Sequence, residues 1–200
     1  MKIKKILILA SITAIVAIGG IYGIGRSILP DLIGIDPTGE VTDGSGKDGA
    51  GGGGTALIGK RLPVFDLPLA LGGRLRSSDL VGTPAVIVFW ATWNSASADQ
   101  VKILDDYLAN NPEQSRLIHV VAVDSQEDPS VTSSFVRRGG YVVPIPLDAY
   151  GTISTAYGVK SLPIAYFVTR EGVVQSLYTG VMSERVLVEK VDSLLKHKVL

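Results

Sequence analysis

The 200-residue chain has no cysteine and only two histidines, His119 and His197. Without a thiol there is no disulfide, no zinc ribbon, no iron–sulfur cluster, no lipoprotein-type lipid anchor and no cysteine nucleophile. Two histidines leave little from which to build a histidine metal site or a Ser-His-Asp triad, and no metal is expected. An excess charge of either sign is also missing. The 19 basic side chains balance 19 acidic ones, which argues against an electrostatic nucleic-acid binder. Glycine is plentiful, at 23 residues, but the run at 51–54 is no phosphate loop: no strand pattern leads into it and no Gly-Lys-Ser/Thr follows. No cofactor is expected.

What is present begins with Lys2, Lys4 and Lys5, an uncharged apolar run over 6–25, and Arg26. Twenty residues at 1.5 Å each span roughly 30 Å, the thickness of the hydrocarbon core of a bilayer. Residues 1–26 therefore read as a transmembrane signal-anchor. A cleavable signal peptide is the rival, but its apolar core is usually shorter and no clean Ala-x-Ala site follows. Three lysines before the run against one arginine after it keep the N-terminus cytoplasmic and place the remainder outside, on the cell membrane by a single pass. Residues 27–56 form the next unit. Over 36–55 Gly, Asp, Ser and Thr predominate and leave almost nothing to bury, so a flexible tether is expected, with an r.m.s. reach of about 25 Å.

From 57 to 200 short apolar runs alternate with turn signals. Residues 61–76 read as an irregular hairpin turning at Gly72-Gly73, with prolines that confine it to an edge, followed by a short capped turn at Ser78-Asp79-Leu80. PAVIVFW over 84–90 is a strand buried on both faces. Val101, Leu104, Tyr107 and Leu108 share one helix face, and LIHVVAV over 117–123 is a second buried strand with His119 in its middle. A helix over 130–138 opens at Asp128-Pro129 and ends at Gly139-Gly140, with Arg137 and Arg138 as its solvated end. Short elements over 142–147, 153–157, 164–169 and 173–178, with a hairpin turn at Arg170-Glu171-Gly172, precede a last amphipathic helix over 184–195. The whole is an α/β domain with a mixed central sheet.

VIVFWATWNSASADQ over 86–100 resembles the active-site region of the thioredoxin superfamily, and more narrowly its membrane-anchored TlpA-like and redoxin branch, in which FWATW runs into a Cys-x-x-Cys at a helix start. The lead-in GKRLPVFDLPLALGGRLRSSDLVGTPAVIVFW and the downstream PLDAYGTISTAYGVKSLPIAYFVTREGVV are similar to the same branch, over roughly 57–195. The resemblance implies a thioredoxin fold, a cis proline at Pro163, and cysteine positions that fall on Asn94 and Ser97. It also implies a groove for an extended peptide, walled by Trp93 and floored by the backbone of Leu162-Pro163.

A thiol at a helix N-terminus has its pKa brought from ~8.5 toward 7 or below, and the thiolate attacks a disulfide. A serine hydroxyl there stays protonated and has no redox couple; Asn94 cannot ionise. A nucleophilic role for Ser95 or Ser97 needs a base within reach, which neither His119 nor His197 is placed to supply. The favoured reading of 94–97 is a helix cap, with Ser97 and Gln100 matching the capping-box pattern; the alternative is a set of polar contacts from Asn94, Ser95 and Ser97 to a bound peptide. His119, Trp90 and Trp93 read as core and rim packing, and Asp124 as a turn former in preference to a site residue. Three functions remain open: a redox-inactive module that binds a peptide or envelope protein, a thiol-disulfide oxidoreductase as the resemblance alone implies, and a non-catalytic envelope scaffold.

Overall fold

The computed structural model describes residues 57–196. The expected anchor over 1–26, the tether over 27–56 and His197 lie outside them. Among the described residues no helix is long and apolar enough to cross a membrane.

The centre of the domain is β3, Ala85–Trp90, whose six residues are all buried. Its continuous apolar run has no polar face to offer water, so it must be covered on both sides. On one edge it pairs in parallel with β4, His119–Ser125, and on the other antiparallel with β6, Ile164–Val168. β5, Leu147–Asp148, and β7, Val174–Thr179, complete a mixed sheet of order β5-β4-β3-β6-β7. β1, Asp66–Pro68, and β2, Arg74–Arg76, form a separate two-stranded ribbon, joined on its exposed face by Asp66 to Arg74 at 2.7 Å and to Arg76 at 3.2 Å. A 3-10 turn, Ser77–Leu80, leads from β2 toward β3.

The helices are α1, Ser95–Asn110; α2, Pro112–Ser115; α3, Pro129–Gly139; α4, Thr152–Ala156; and α5, Glu184–Lys196. Strand alternation sorts the core into two layers. Val86, Val88 and Trp90 pack with Val101, Leu104 and Tyr107 of α1, Val136 of α3, and Leu187, Val191 and Leu194 of α5. Ala85, Ile87 and Phe89 pack with Phe65, Leu80, Tyr157 and Tyr166. Each large side chain removed from water in this way contributes roughly 1.5–3 kcal/mol.

Several elements depart from the sequence reading. The second strand begins at His119 and runs to Ser125, two residues later than expected. Leu117, though apolar, is spent in the turn after α2, where its N–H donates to the Gln114 carbonyl and its side chain is exposed. Pairing starts where the His119 N–H donates to the Pro84 carbonyl, 2.8 Å away. His119 is thus a half-buried first residue, not a mid-strand one. Asp124 is no turn former: it lies in β4 opposite Trp90 and is fully buried. The 142–147 element contributes only its last residue to a ladder, because Pro144 and Pro146 have no N–H to give; their carbonyls nonetheless accept from Ala122 and Asp124 at 3.0 and 2.9 Å. The bounds of α3 match the expectation: Asp128 caps it through the Ser130 N–H at 2.8 Å, Pro129 sits in the first turn, and Gly140 ends it at φ +68°.

Candidate functional site

β3 ends at Trp90, and the chain crosses Ala91-Thr92-Trp93 to start α1 at the C-terminal rim of the sheet. Asn94 caps α1: its Oδ1 accepts from the Ser97 N–H at 3.0 Å, while the Ala98 N–H donates to its carbonyl. That satisfies one of the free donors every helix start leaves. The other end of the same carboxamide, Nδ2, donates to the Leu162 carbonyl at 3.3 Å. Leu162-Pro163 is a cis peptide, as the resemblance implies, and the Gly180 N–H donates to the Pro163 carbonyl. Asn94 therefore joins the head of α1 to the loop before β6.

The structure brings Trp93, Asn94 and Leu162 together. Trp93 is 70 % exposed, in contrast to Trp90, which is sealed in the core with its Nε1–H donating to the Ala122 carbonyl. Trp93 and Leu162 line a cavity of about 240 Å³, with Gln126, Val159 and Lys160 also on its walls. Ser95, the first residue of α1, is exposed, and Pro163 is buried. Ser97 does not belong to this surface. It is fully buried and its Oγ has no partner, so it is not a contact for a docked peptide. The Ser97–Gln100 capping box is likewise corrected: Ser97 is already the third residue of the helix, and the Gln100 side chain turns inward to accept from the Met182 N–H.

Among the described residues the one histidine does not reach the serines. His119 opens β4 opposite Ala85, whereas the site lies past Trp90, opposite Asp124. Five residues of strand put roughly 17 Å between those ends.

Two features escaped the sequence reading. Gln126 is a non-glycine residue in the left-handed region, φ +60°, and it lines both the Trp93 cavity and a larger one, about 700 Å³, that Glu127, Asp148 and Tyr150 also line. Nothing in a glutamine signals that conformation. The second is an acid pair. Both carboxylate oxygens of Glu127 accept from Thr92, from its N–H at 2.5 Å and its Oγ1–H at 2.6 Å, which fixes the carboxylate against the turn between β3 and α1. Asp124 beside it accepts from the Thr132 hydroxyl at 2.8 Å, and its Oδ1 has no donor. Burial first, and then the neighbouring Glu127, push its pKa up to about 8. Asp124 thus keeps its proton well above the ordinary carboxylate range.

The 58–177 segment matches the model of the AhpC/TSA family. The thiol-disulfide oxidoreductase ResA of Bacillus subtilis (strain 168) is 30 % identical over 131 residues, 64 % of this chain and 71 % of ResA. The thiol:disulfide interchange protein DsbE of Pseudomonas aeruginosa is 28 % identical over 144 residues, 70 % of this chain and 76 % of DsbE. Among solved structures, the pneumococcal exposed lipoprotein thioredoxin Etrx1 of Streptococcus pneumoniae superposes with a TM-score of 0.59 at 23 % identity, over 66 % of this chain and all of its own. The fold is thioredoxin-like, and the likeness to the redoxin branch read from 86–100 holds across the domain. With its matched segment covering more than half its length, the chain belongs to the AhpC/TSA family.

Proposed function

We propose that this chain is a membrane-tethered, extracytoplasmic domain that has given up thiol chemistry and binds an extended peptide or an envelope protein at the Trp93–Leu162 surface. One observation carries the reading. Asn94 and Ser97 stand where the family's thiols fall, while the exposed Trp93, the half-buried Leu162 and the cavity between them remain. Exchange of electrons with a disulfide requires a thiolate, and the chain holds none. Backbone pairing with an extended segment requires only free N–H and C=O groups and a pocket for a side chain. The names of the relatives favour a thiol-disulfide oxidoreductase instead, and turnover decides between the two.

The purified chain should reduce insulin with dithiothreitol no faster than a blank; turnover would overturn the redox-inactive half of the reading. Asn94→Cys with Ser97→Cys should form a disulfide under oxidant, detected as the loss of two titratable thiols. For the binding half, a photo-crosslinking amino acid in place of exposed Ser161 should give discrete protein adducts in the native membrane. The same group at Val142, 70 % exposed and outside the cavity, should not. Equal yields at both positions would remove the site.

A further inference from the structure

Asn94 presents the two faces of its carboxamide to two backbone groups. Oδ1 takes the Ser97 N–H at 3.0 Å, and Nδ2 gives a proton to the Leu162 carbonyl at 3.3 Å. A peptide amide laid across the same place would offer the same acceptor and the same donor. The capping bond, of ordinary length, orients the amide so that Nδ2 points at the Leu162 carbonyl. The second bond, at 3.3 Å and part-buried, is the longer of the two and is the one that can open without uncapping the helix. Leu162 is half-buried and lines the Trp93 cavity.

We propose that Asn94 is an internal latch on the docking surface: its side-chain amide holds one acceptor position of the Leu162 carbonyl in the resting domain and competes there with the N–H of an extended peptide. The inference rests on the peptide-binding reading above. It assigns to the residue at the family's first cysteine position a control function that a cap alone does not have. A cap needs only the Oδ1 bond; the Nδ2 bond adds nothing to the helix and holds an acceptor the ligand would use.

Asn94→Ser separates the two roles. Serine is as good an N-cap but is too short to reach Leu162. Asn94→Asp is the second variant, since it also caps, keeps the size of asparagine and has no donor. Thermal unfolding of both checks that the helix start survives. The full chain in nanodiscs is titrated with fluorescein-labelled Thr-Val-Leu-Val-Thr-amide, a probe rich in strand-forming residues, and binding is read by anisotropy. Loss of one competing hydrogen bond should tighten binding by about 3- to 10-fold in both variants. In the wild-type chain, saturating peptide should shift the Asn94 side-chain amide resonances. Equal affinity for wild type and variants overturns the latch and leaves the docking surface standing. Binding to none of the three overturns both.

Discussion

Asparagine at position 94 replaces a redox atom with two hydrogen bonds, and the buried Asp124 below the same rim shows a second departure from simple packing. Asp124 carries the clearest pH signature of the domain. Its folded pKa of about 8 stands far above the ordinary 3.8, through burial and then the neighbouring Glu127, with Asp148 adding to the repulsion and the Thr132 hydroxyl opposing it. Between those two values the folded chain keeps a proton that the unfolded chain has released, so stability falls as pH rises through the window. Below it both states are protonated and there is no penalty; above it both are ionised and the full cost of a buried charge is felt. Thermal unfolding should therefore show a midpoint that drops from pH 5 to pH 8. Asp124→Asn, which can still accept from Thr132 and can donate to Glu127, should flatten that drop. An unchanged slope in the variant would assign it elsewhere. None of this was legible beforehand, because an aspartate after an apolar run reads as a turn former; only the register opposite Trp90 shows it buried. The exchange at Asn94 and Ser97, by contrast, was plain from the FWATW motif leading into it.

The elements were legible where one signal dominated. β3 needed no more than six apolar residues in a row, and α3 announced both ends, through Asp128-Pro129 and Gly139-Gly140. Signals that compete were misread. Leu117 looks like strand but falls in a turn, and Ser97-x-x-Gln100 looks like a capping box but lies one turn inside a helix already capped by Asn94. The cavities were out of reach because Gln126, Val159 and Leu162 meet only after the sheet assembles. The end of α3 offers a clean test at this scale. Gly140 sits at φ +68°, and a Cβ added there would meet nothing within 4 Å. Any cost of Gly140→Ala is then backbone conformation alone, about 1 kcal/mol, seen as a fall of roughly 2–5 °C in the unfolding midpoint. Gly140→Asn should recover part of the loss, because asparagine tolerates the left-handed region. Equal losses for alanine and asparagine would point to a contact instead.

For the molecule as a whole, function depends on which side of a membrane the domain works, and this rests on charge at the front of the chain. Lys2, Lys4 and Lys5 precede the apolar run and Arg26 alone follows it. On the proposed topology the lysine side stays in the cytoplasm and what comes after is exported, whether or not the segment is later cut. A reporter that works only in the cytoplasm, fused after Leu200, should be inactive. Replacing the three lysines by glutamine and adding three lysines after Arg26 inverts the bias, and should switch the same reporter on. An active reporter on the unaltered chain would reverse the topology and take the extracytoplasmic reading with it. Anchor and cleaved signal then separate by a second measurement: an apolar span of 20 residues keeps the domain in carbonate-washed membranes, whereas cleavage releases it. Export also bears on the missing thiols. On the proposed topology the domain works in an oxidising compartment, where an unpaired cysteine can mispair, and a chain without cysteine has none to mispair.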